Sequence, residues 1–146
     1  MTPKIIILLG PDCCGKNFVM HSLAAKLDYE PFMCPRSPIC NIVYDIIYRR
    51  STQERFDYNS KLVSDFLEMG AYFVYIYAKP EILLKRAKAR DEKHVTDIDV
   101  FKRHLLNYDM CFNISKRENS KYKNRFIKVD NSGSIESTIK KIMGKL

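Results

Sequence analysis

The residues best suited to chemistry lie in the segment 10–17, which reads GPDCCGKN. It fits the pattern G-x-x-x-x-G-K, in which the backbone N–H groups of a glycine-containing loop surround phosphate and the lysine adds an ammonium group. Gly10 and Gly15 permit the backbone conformations that such a loop requires. Asn17 stands where the pattern has serine or threonine. The spacing predicts a phosphate-binding loop with Lys16 at the outer phosphates; a glycine-containing turn that binds nothing is the alternative.

The flanking residues predict the strand and the helix that hold such a loop in place. Residues 5–9 form an unbroken apolar run, as expected for a strand buried on both faces of a parallel sheet. Val19, Leu23 and Leu27 then recur at helical spacing. A strand, a loop and a helix in this order direct backbone amides and the positive end of the helix dipole toward a bound anion.

Strands and helices alternate along the rest of the chain. Beyond the first strand, aromatic and β-branched runs predict strands at residues 32–34, 72–78 and 125–129. Apolar spacing predicts further helices at residues 39–50, 62–69, 80–91 and 135–146. Another helix is predicted to begin after a cap at Thr96 and to have its exposed end within residues 113–124. This alternation predicts a single α/β domain, 1–146, with a small central parallel sheet flanked by helices.

Composition restricts the class of protein and its partners. The 146 residues carry a net charge of +8, which suits anionic partners. The basic residues are spread over 79–125 without a repeat of aromatic residues between them, so stable binding to nucleic acid is not favoured. No apolar run is long enough to span a bilayer, and no secretory signal is visible. The five cysteines lack zinc spacing, which predicts reduced thiols in a cytoplasmic protein, with Cys13 and Cys14 as small packing residues.

Four segments, in order along the chain, resemble the thymidylate and deoxynucleoside monophosphate kinases of the P-loop class. These segments are residues 10–16, residues 33–39 with Arg36 between two prolines, residues 74–86 followed by Arg90, and residues 126–134. The short chain suggests a phage or viral member, acting in the host cytoplasm. The resemblance implies the three-layer P-loop kinase fold, nucleotide substrates, and the cofactors ATP and Mg²⁺. A homodimer is left open.

The resemblance also implies roles for individual residues. ATP would be bound by Gly10, Asp12, Cys13, Cys14, Gly15, Lys16 and Asn17. Asp12 and Arg36 would bind the acceptor nucleotide, and Asn17 would be a weak ligand of Mg²⁺ through its amide oxygen. The catalytic cations would be Lys16, Arg36, Arg86 and Arg90, with Arg86 and Arg90 in a short lid around residues 86–96. The alternatives from the residues alone are that Asp12 is a turn residue, that Arg36 is a surface arginine, and that at least one of the two lid arginines is a solvated side chain.

The implied activity is phosphoryl transfer from ATP to a deoxynucleoside monophosphate such as dTMP, giving the diphosphate. The sequence departs from the family in two ways. The first is Asn17. The second is that the family has a middle strand ending in Asp-Arg, whereas this chain passes from a helix ending at Met69 directly to a strand at Tyr72. The alternatives are a nucleotide-binding protein impaired in catalysis, or a kinase of a nucleoside or of a polynucleotide end. A nucleoside would need a carboxylate base after the second strand, whereas Glu30 precedes that strand.

Overall fold

The structure, a computed structural model, describes residue 3, residues 5–90 and residues 97–146. Its strands are β1 (Ile5–Leu9), β2 (Phe32–Cys34), β3 (Ala71–Tyr77) and β4 (Phe126–Asp130). Its α-helices are α1 (Lys16–Lys26), α2 (Pro38–Ile47), α3 (Gln53–Glu68), α4 (Pro80–Ala89), α5 (Ile98–Glu118) and α6 (Ile135–Met143). A short 3₁₀ helix, Ser120–Arg125, leads into β4.

The four strands form one parallel sheet in the order β2-β1-β3-β4. Ile7 in β1 stands opposite Cys34 of β2 on one side and Phe73 of β3 on the other. Ile6–Leu9 are each at most 2% exposed, which confirms the predicted strand buried on both faces. Because the strands are parallel, their carboxyl ends meet at one edge of the sheet, and the loop after β1 begins there.

Alternate side chains of the strands enter two separate apolar layers. One face of the sheet packs on α1, α4 and α6, where Leu8 and Val74 meet Leu23 of the first helix. The other face packs on α2, α3 and α5, where Leu9 and Phe73 share a cluster with residues of those helices. This arrangement confirms the predicted three-layer α/β fold with a small parallel sheet.

The predicted start of the third helix is wrong. We expected a helix only from Leu62, whereas α3 begins at Gln53 with Thr52 as its cap, whose hydroxyl oxygen accepts a hydrogen bond from the Arg55 amide. The one fully buried position in its first half carries a polar group, and the apolar Phe56 there is only partly buried. Asn59 is buried, and Arg55 pairs with a buried carboxylate on α2. Apolar periodicity therefore gives no signal there.

The other boundaries agree with prediction to within a residue or two, except that α2 and α6 each end three residues before the predicted end, at Ile47 and Met143. The helix α5 ends at Glu118, within the predicted range 113–124. Asp97 caps α5, while the predicted cap Thr96 lies outside the described residues, as does most of the predicted lid. Among the described residues no strand lies between α3 and β3, and β2 pairs directly with β1, so the family's middle strand is missing as expected.

None of the described helices has both the length and the hydropathy needed to traverse a bilayer. The cytoplasmic location and the formation of a homodimer stay predictions.

Candidate functional site

The loop between β1 and α1 has the backbone shape of an anion-binding loop. Gly10 and Gly15 take positive φ angles of 150° and 91°, and Cys13 between them takes 68°. Both glycines therefore stand where the backbone favours glycine. Gly10 also lies against the middle of the sheet, because a Cβ atom there would overlap the carbonyl oxygen of Ile76 in β3. The loop thus rests directly on β3.

The N-terminus of α1 is open to an external acceptor. Gly15 provides no side chain to cap the helix, and helix geometry gives the first-turn amides no intrahelical acceptor. Four other described helices are capped by a side-chain oxygen, from Ser37, Thr52, Asp97 and Ser134. An uncapped helix start that follows a glycine-containing loop is suited to phosphate.

Lys16 lies across the loop with its ammonium group facing the backbone. Nζ is 2.5 Å from the carbonyl oxygen of Gly10 and 3.2 Å from that of Pro11. The side chain is half-buried, so the ammonium group is kept at the loop instead of extending into bulk solvent. Phosphate oxygens would be stronger acceptors than these carbonyls, because both partners of such a hydrogen bond are charged.

Arg86 and Asn131 hold the loop from its carbonyl side. Arg86 Nη1 donates to the carbonyl oxygens of Cys13 and Cys14 at 3.2 and 3.5 Å, and Nη2 donates to that of Asn131 at 2.6 Å. The side-chain amide of Asn131 donates to the carbonyl of Cys14 at 2.9 Å. These contacts do not favour the predicted role of Arg86 in covering a transferred phosphoryl group, which stays a prediction.

The thiols of the loop are packing groups. Cys14 is fully buried, and this burial raises the pKa of its thiol to about 11, although the nearby Lys16 acts in the opposite direction. Such a thiol is protonated near neutral pH and is a poor nucleophile. All five cysteines lie in the described part of the chain, and only Cys34 is not buried; its Sγ donates to the carbonyl of Arg36 at 2.9 Å.

Two adjoining cavities open beside the loop. The smaller, about 320 Å³, runs along the start of α1 and is lined by Gly15, Asn17 and Arg90 among others. The larger, about 450 Å³, extends away toward α2 and α5. Both cavities are lined by Asp12, Lys16, Pro35 and Arg36, which therefore mark their junction. The structure thus brings the predicted Asp12, Arg36 and Arg90 to the same place as the loop.

Tyrosine rings from α2 and α5 form one wall of the larger cavity. The rings of Tyr44 and Tyr48, one helical turn apart, stack with centroids 6.1 Å apart, and Tyr108 meets Tyr44 edge-on at 6.3 Å. The Tyr44 hydroxyl donates to Asp12 Oδ1 at 3.4 Å. Burial, with Asp12 adding to the effect, raises the pKa of Tyr44 to about 12, so this hydroxyl stays protonated.

Two guanidinium groups lie over these rings. Arg36 Cζ is 5.3 Å from the centroid of Tyr44, and Arg50 Cζ is 5.5 Å from that of Tyr48. Arg50 lines the larger cavity and was not among the predicted site residues. The only signal in the sequence is that it is the second of two consecutive arginines, Arg49 and Arg50, that follow α2. The larger cavity therefore carries two fixed positive charges in addition to Lys16.

A buried carboxylate anchors the segment that carries Arg50. Asp45 is 3% exposed and accepts two hydrogen bonds of 2.8 Å from Nε and Nη2 of Arg55. Arg50 Nε lies 3.5 Å from the same carboxylate, and its amide donates to the Asp45 carbonyl at 2.7 Å. The hydrogen bond from Arg55 holds the pKa of Asp45 below its usual range. Asp45 thus orients Arg50 at the cavity edge.

The oxygen donors beside the loop fit a magnesium ion held mainly by substrate phosphates. Asp12 and Asn17 are exposed and line the same cavity. Mg²⁺ commonly takes one or two protein oxygens together with phosphate oxygens and water. Within the described residues there is no cluster of three His, Cys, Asp or Glu side chains that would hold a metal ion alone.

Asn131 is the second residue that sequence reasoning missed. It is 5% exposed, and its side chain contacts both the loop and α6. No local signal identifies such a role, since its partner Cys14 belongs to a distant part of the sequence. The preceding residue, Asp130, forms a turn by accepting hydrogen bonds from the amide and hydroxyl of Ser132.

Comparison with solved structures identifies proteins of the same fold. The YorR protein from Bacillus subtilis, solved in complex with phosphorylated GDP, superimposes with a TM-score of 0.68 at 19% identity, over 96% of this chain and 94% of its own. Deoxyadenosine kinase from M. mycoides with bound dCTP gives 0.63 at 15% identity, over 97% of both chains. No protein-family model matches the chain, and no curated protein matches it significantly in sequence. At these identities the comparisons support the fold alone, which is the predicted one.

Proposed function

We propose that the protein transfers a phosphoryl group from ATP to a deoxynucleoside monophosphate, with dTMP as the first candidate, giving the diphosphate. The observation that carries the proposal is the junction of the two cavities at Asp12, Lys16 and Arg36. One cavity follows the phosphate-binding loop, and the other has a cationic and aromatic lining. A donor and an acceptor bound in them would meet at the lysine.

On the donor side, the β- and γ-phosphates of ATP would bind the open amides at the start of α1. Lys16 would exchange its carbonyl partners, Gly10 and Pro11, for phosphate oxygens. Arg90, at the edge of the same cavity, would add positive charge near the transferred group. Asp12 and Asn17 would hold Mg²⁺, which would neutralise phosphate charge when bound.

On the acceptor side, the lining supports an anionic nucleotide. Arg36 and Arg50 offer guanidinium donors, which suit phosphate because they can form two parallel charge-assisted hydrogen bonds. The exposed ring of Tyr48 and the ring of Tyr44 offer flat apolar surface for a base or sugar. A neutral nucleoside would offer no anionic group to either Arg36 or Arg50 in this cavity.

The chemistry asked of these side chains is positioning and charge neutralisation. Phosphoryl transfer needs an in-line approach of the two oxygens and cations around the three equatorial oxygens. Lys16 and Arg36 lie at the junction where the two anions would otherwise repel each other, and Arg90 lines the adjoining smaller cavity. A monophosphate is already ionised, so no strong general base is required.

A nucleoside acceptor is the second candidate, favoured by one observation. Asp12 is an exposed carboxylate at the junction of the cavities and could accept the proton of a hydroxyl acceptor. The deoxyadenosine kinase of similar fold adds weight to it. Asp12→Asn separates the candidates: weaker Mg²⁺ binding should lower turnover of either acceptor alike, whereas loss of a general base should reduce nucleoside phosphorylation by a further factor of about 10² to 10⁴.

The deciding experiment supplies ATP and Mg²⁺ with each deoxynucleoside monophosphate and each deoxynucleoside, and follows the products by chromatography. We expect a monophosphate to become the diphosphate and Lys16→Ala to abolish this turnover; retained turnover in the variant would mean that the site is wrong. Nucleotide binding without any turnover would favour a protein impaired in catalysis. Phosphorylation only of an oligonucleotide end, with binding that weakens steeply as salt is added, would favour the polynucleotide alternative.

A further inference from the structure

We infer that Arg86, Asn131 and Thr138 act together as a clamp that directs the amide groups of the phosphate-binding loop, so that nucleotide affinity depends on them. This inference rests on the proposed function, because nucleotide phosphate is the ligand those amides would bind. In the clamp these are positioning residues: each contacts the loop or another clamp residue, and none is placed in contact with the substrate.

The direction of the loop amides follows from peptide geometry. In a trans peptide the carbonyl of one residue and the N–H of the next point in opposite directions, and the described residues contain no cis peptide. The carbonyls of Cys13 and Cys14 face Arg86, and that of Cys14 also faces Asn131. The N–H groups of Cys14 and Gly15 therefore point away from the clamp.

The Gly15 amide is the one that this geometry offers to a ligand. The N–H of Cys14 donates within the loop, to the carbonyl of Pro11 at 3.3 Å. Gly15 lines the smaller cavity, and Asn131 is not among the residues that line it. The contact beneath it is close: a Cβ atom at Gly15 would be 2.7 Å from Asn131 Nδ2. A shift of the Asn131 amide would thus be transmitted to this peptide.

Thr138 fixes which end of the Asn131 amide faces the loop. Thr138 is 1% exposed, and its Oγ1 donates to Asn131 Oδ1 at 2.7 Å. With the amide oxygen bonded to this hydroxyl, the amide nitrogen is turned to the Cys14 carbonyl. The opposite orientation would bring two oxygen acceptors together at the loop. The backbone of Asn131 is held as well, since its N–H donates to the carbonyl of Tyr77 at the end of β3 at 2.7 Å.

Thr138→Val tests the clamp with almost no change of shape, because valine replaces only the hydroxyl. The dissociation constant for ATP is measured by calorimetry well below the melting temperature, together with the melting temperature itself. We expect ATP to bind about tenfold more weakly, the effect of one buried hydrogen bond. The affinity for the acceptor should stay unchanged. Thr138→Ser should restore ATP binding, and Ser137→Ala on the exposed side of α6 is the control.

Asn131→Asp provides a second variant, which places an acceptor opposite the Cys14 carbonyl and should weaken ATP binding further. If it does not fold, Thr138→Val decides alone. A lower melting temperature with unchanged ATP affinity in Thr138→Val would overturn the clamp, because the bonds would then serve stability only. If the wild-type protein binds ATP and the variants bind it equally, the clamp alone fails; if the wild-type protein binds no nucleotide, the proposed function fails with it.

Discussion

Gly10→Ala should destabilise the protein far more than alanine at Gly70 or Gly133. A side chain at the φ of Gly10 is strained, which costs about 1–2 kcal/mol. The new Cβ would also overlap the carbonyl oxygen of Ile76 and approach Cys14 Sγ to 2.8 Å. Ile76 is paired with Val129 in the sheet and cannot move aside cheaply. Overpacking of this kind adds about 1–3 kcal/mol, so the free energy of unfolding should fall by about 3 kcal/mol or more.

Gly70→Ala isolates the strain from the overlap. Gly70 has a φ of 94°, and a Cβ atom there meets no atom within 4 Å. Gly70→Ala should lower the free energy of unfolding by about 1 kcal/mol, because alanine reduces the conformational entropy of the unfolded chain and this offsets part of the strain in the folded state. Gly133→Ala, with neither strain nor neighbours, should change stability by less than about 0.5 kcal/mol.

The assay is equilibrium unfolding in urea, supported by thermal melting, on all three variants. At about 3 °C per kcal/mol for a chain of this size, the melting temperature should fall by about 9 °C or more for Gly10→Ala and about 3 °C for Gly70→Ala. Equal losses in these two variants would refute the close packing of the loop on β3, and with it the position from which Lys16 is presented.

Three further outcomes are expected. Lys16→Ala should lower kcat by at least about 10²- to 10³-fold in the phosphotransfer assay, because the developing charge loses a donor; a change in KM alone would contradict this. Arg50→Gln should raise KM for the acceptor about tenfold or more, as a charge-assisted hydrogen bond is lost, while the adjacent Arg49→Gln, with the same loss of charge, should not. Asp45→Asn should melt at a lower temperature at pH 7, because Arg55 stabilises the ionised carboxylate. The pKa of Asp45 is lowered in the folded state from its ordinary value of 3.8. The greater stability of the wild-type protein should therefore be present above pH 3.8 and disappear as the pH falls below that value. Melting curves at a series of pH values would check this.

Those parts of the fold with a local cause could be predicted from the sequence. The apolar run of β1 and the glycines of the loop specify a buried strand and a turn through residues that are neighbours in the chain. The start of α3 could not be predicted, because its first half is anchored by a pair between the exposed Arg55 and the buried Asp45 on another helix. Hydrophobic periodicity does not record a polar group whose partner comes from a different element.

The same limit applies to the candidate site. Asp12, Lys16 and Arg36 were predicted because each belongs to a short pattern that carries its own chemical meaning. Asn131 resembles any turn residue until the fold brings it against Cys14. Arg86 lies on the polar side of a lysine-rich helix, where its sequence neighbours suggest solvent. Only the packing of α4 beside the loop brings its guanidinium group to the three carbonyls that it contacts.

The unequal burial of the thiols provides a chemical handle on the protein. Because Cys34 alone is partly open, a maleimide dye should modify this position while the other four cysteines remain protected in the folded chain. The label would sit next to the peptide of Arg36, whose carbonyl the thiol contacts. Its fluorescence would then report the arrival of an acceptor at that segment without any mutation, and the rate of labelling would itself slow when the segment is occupied.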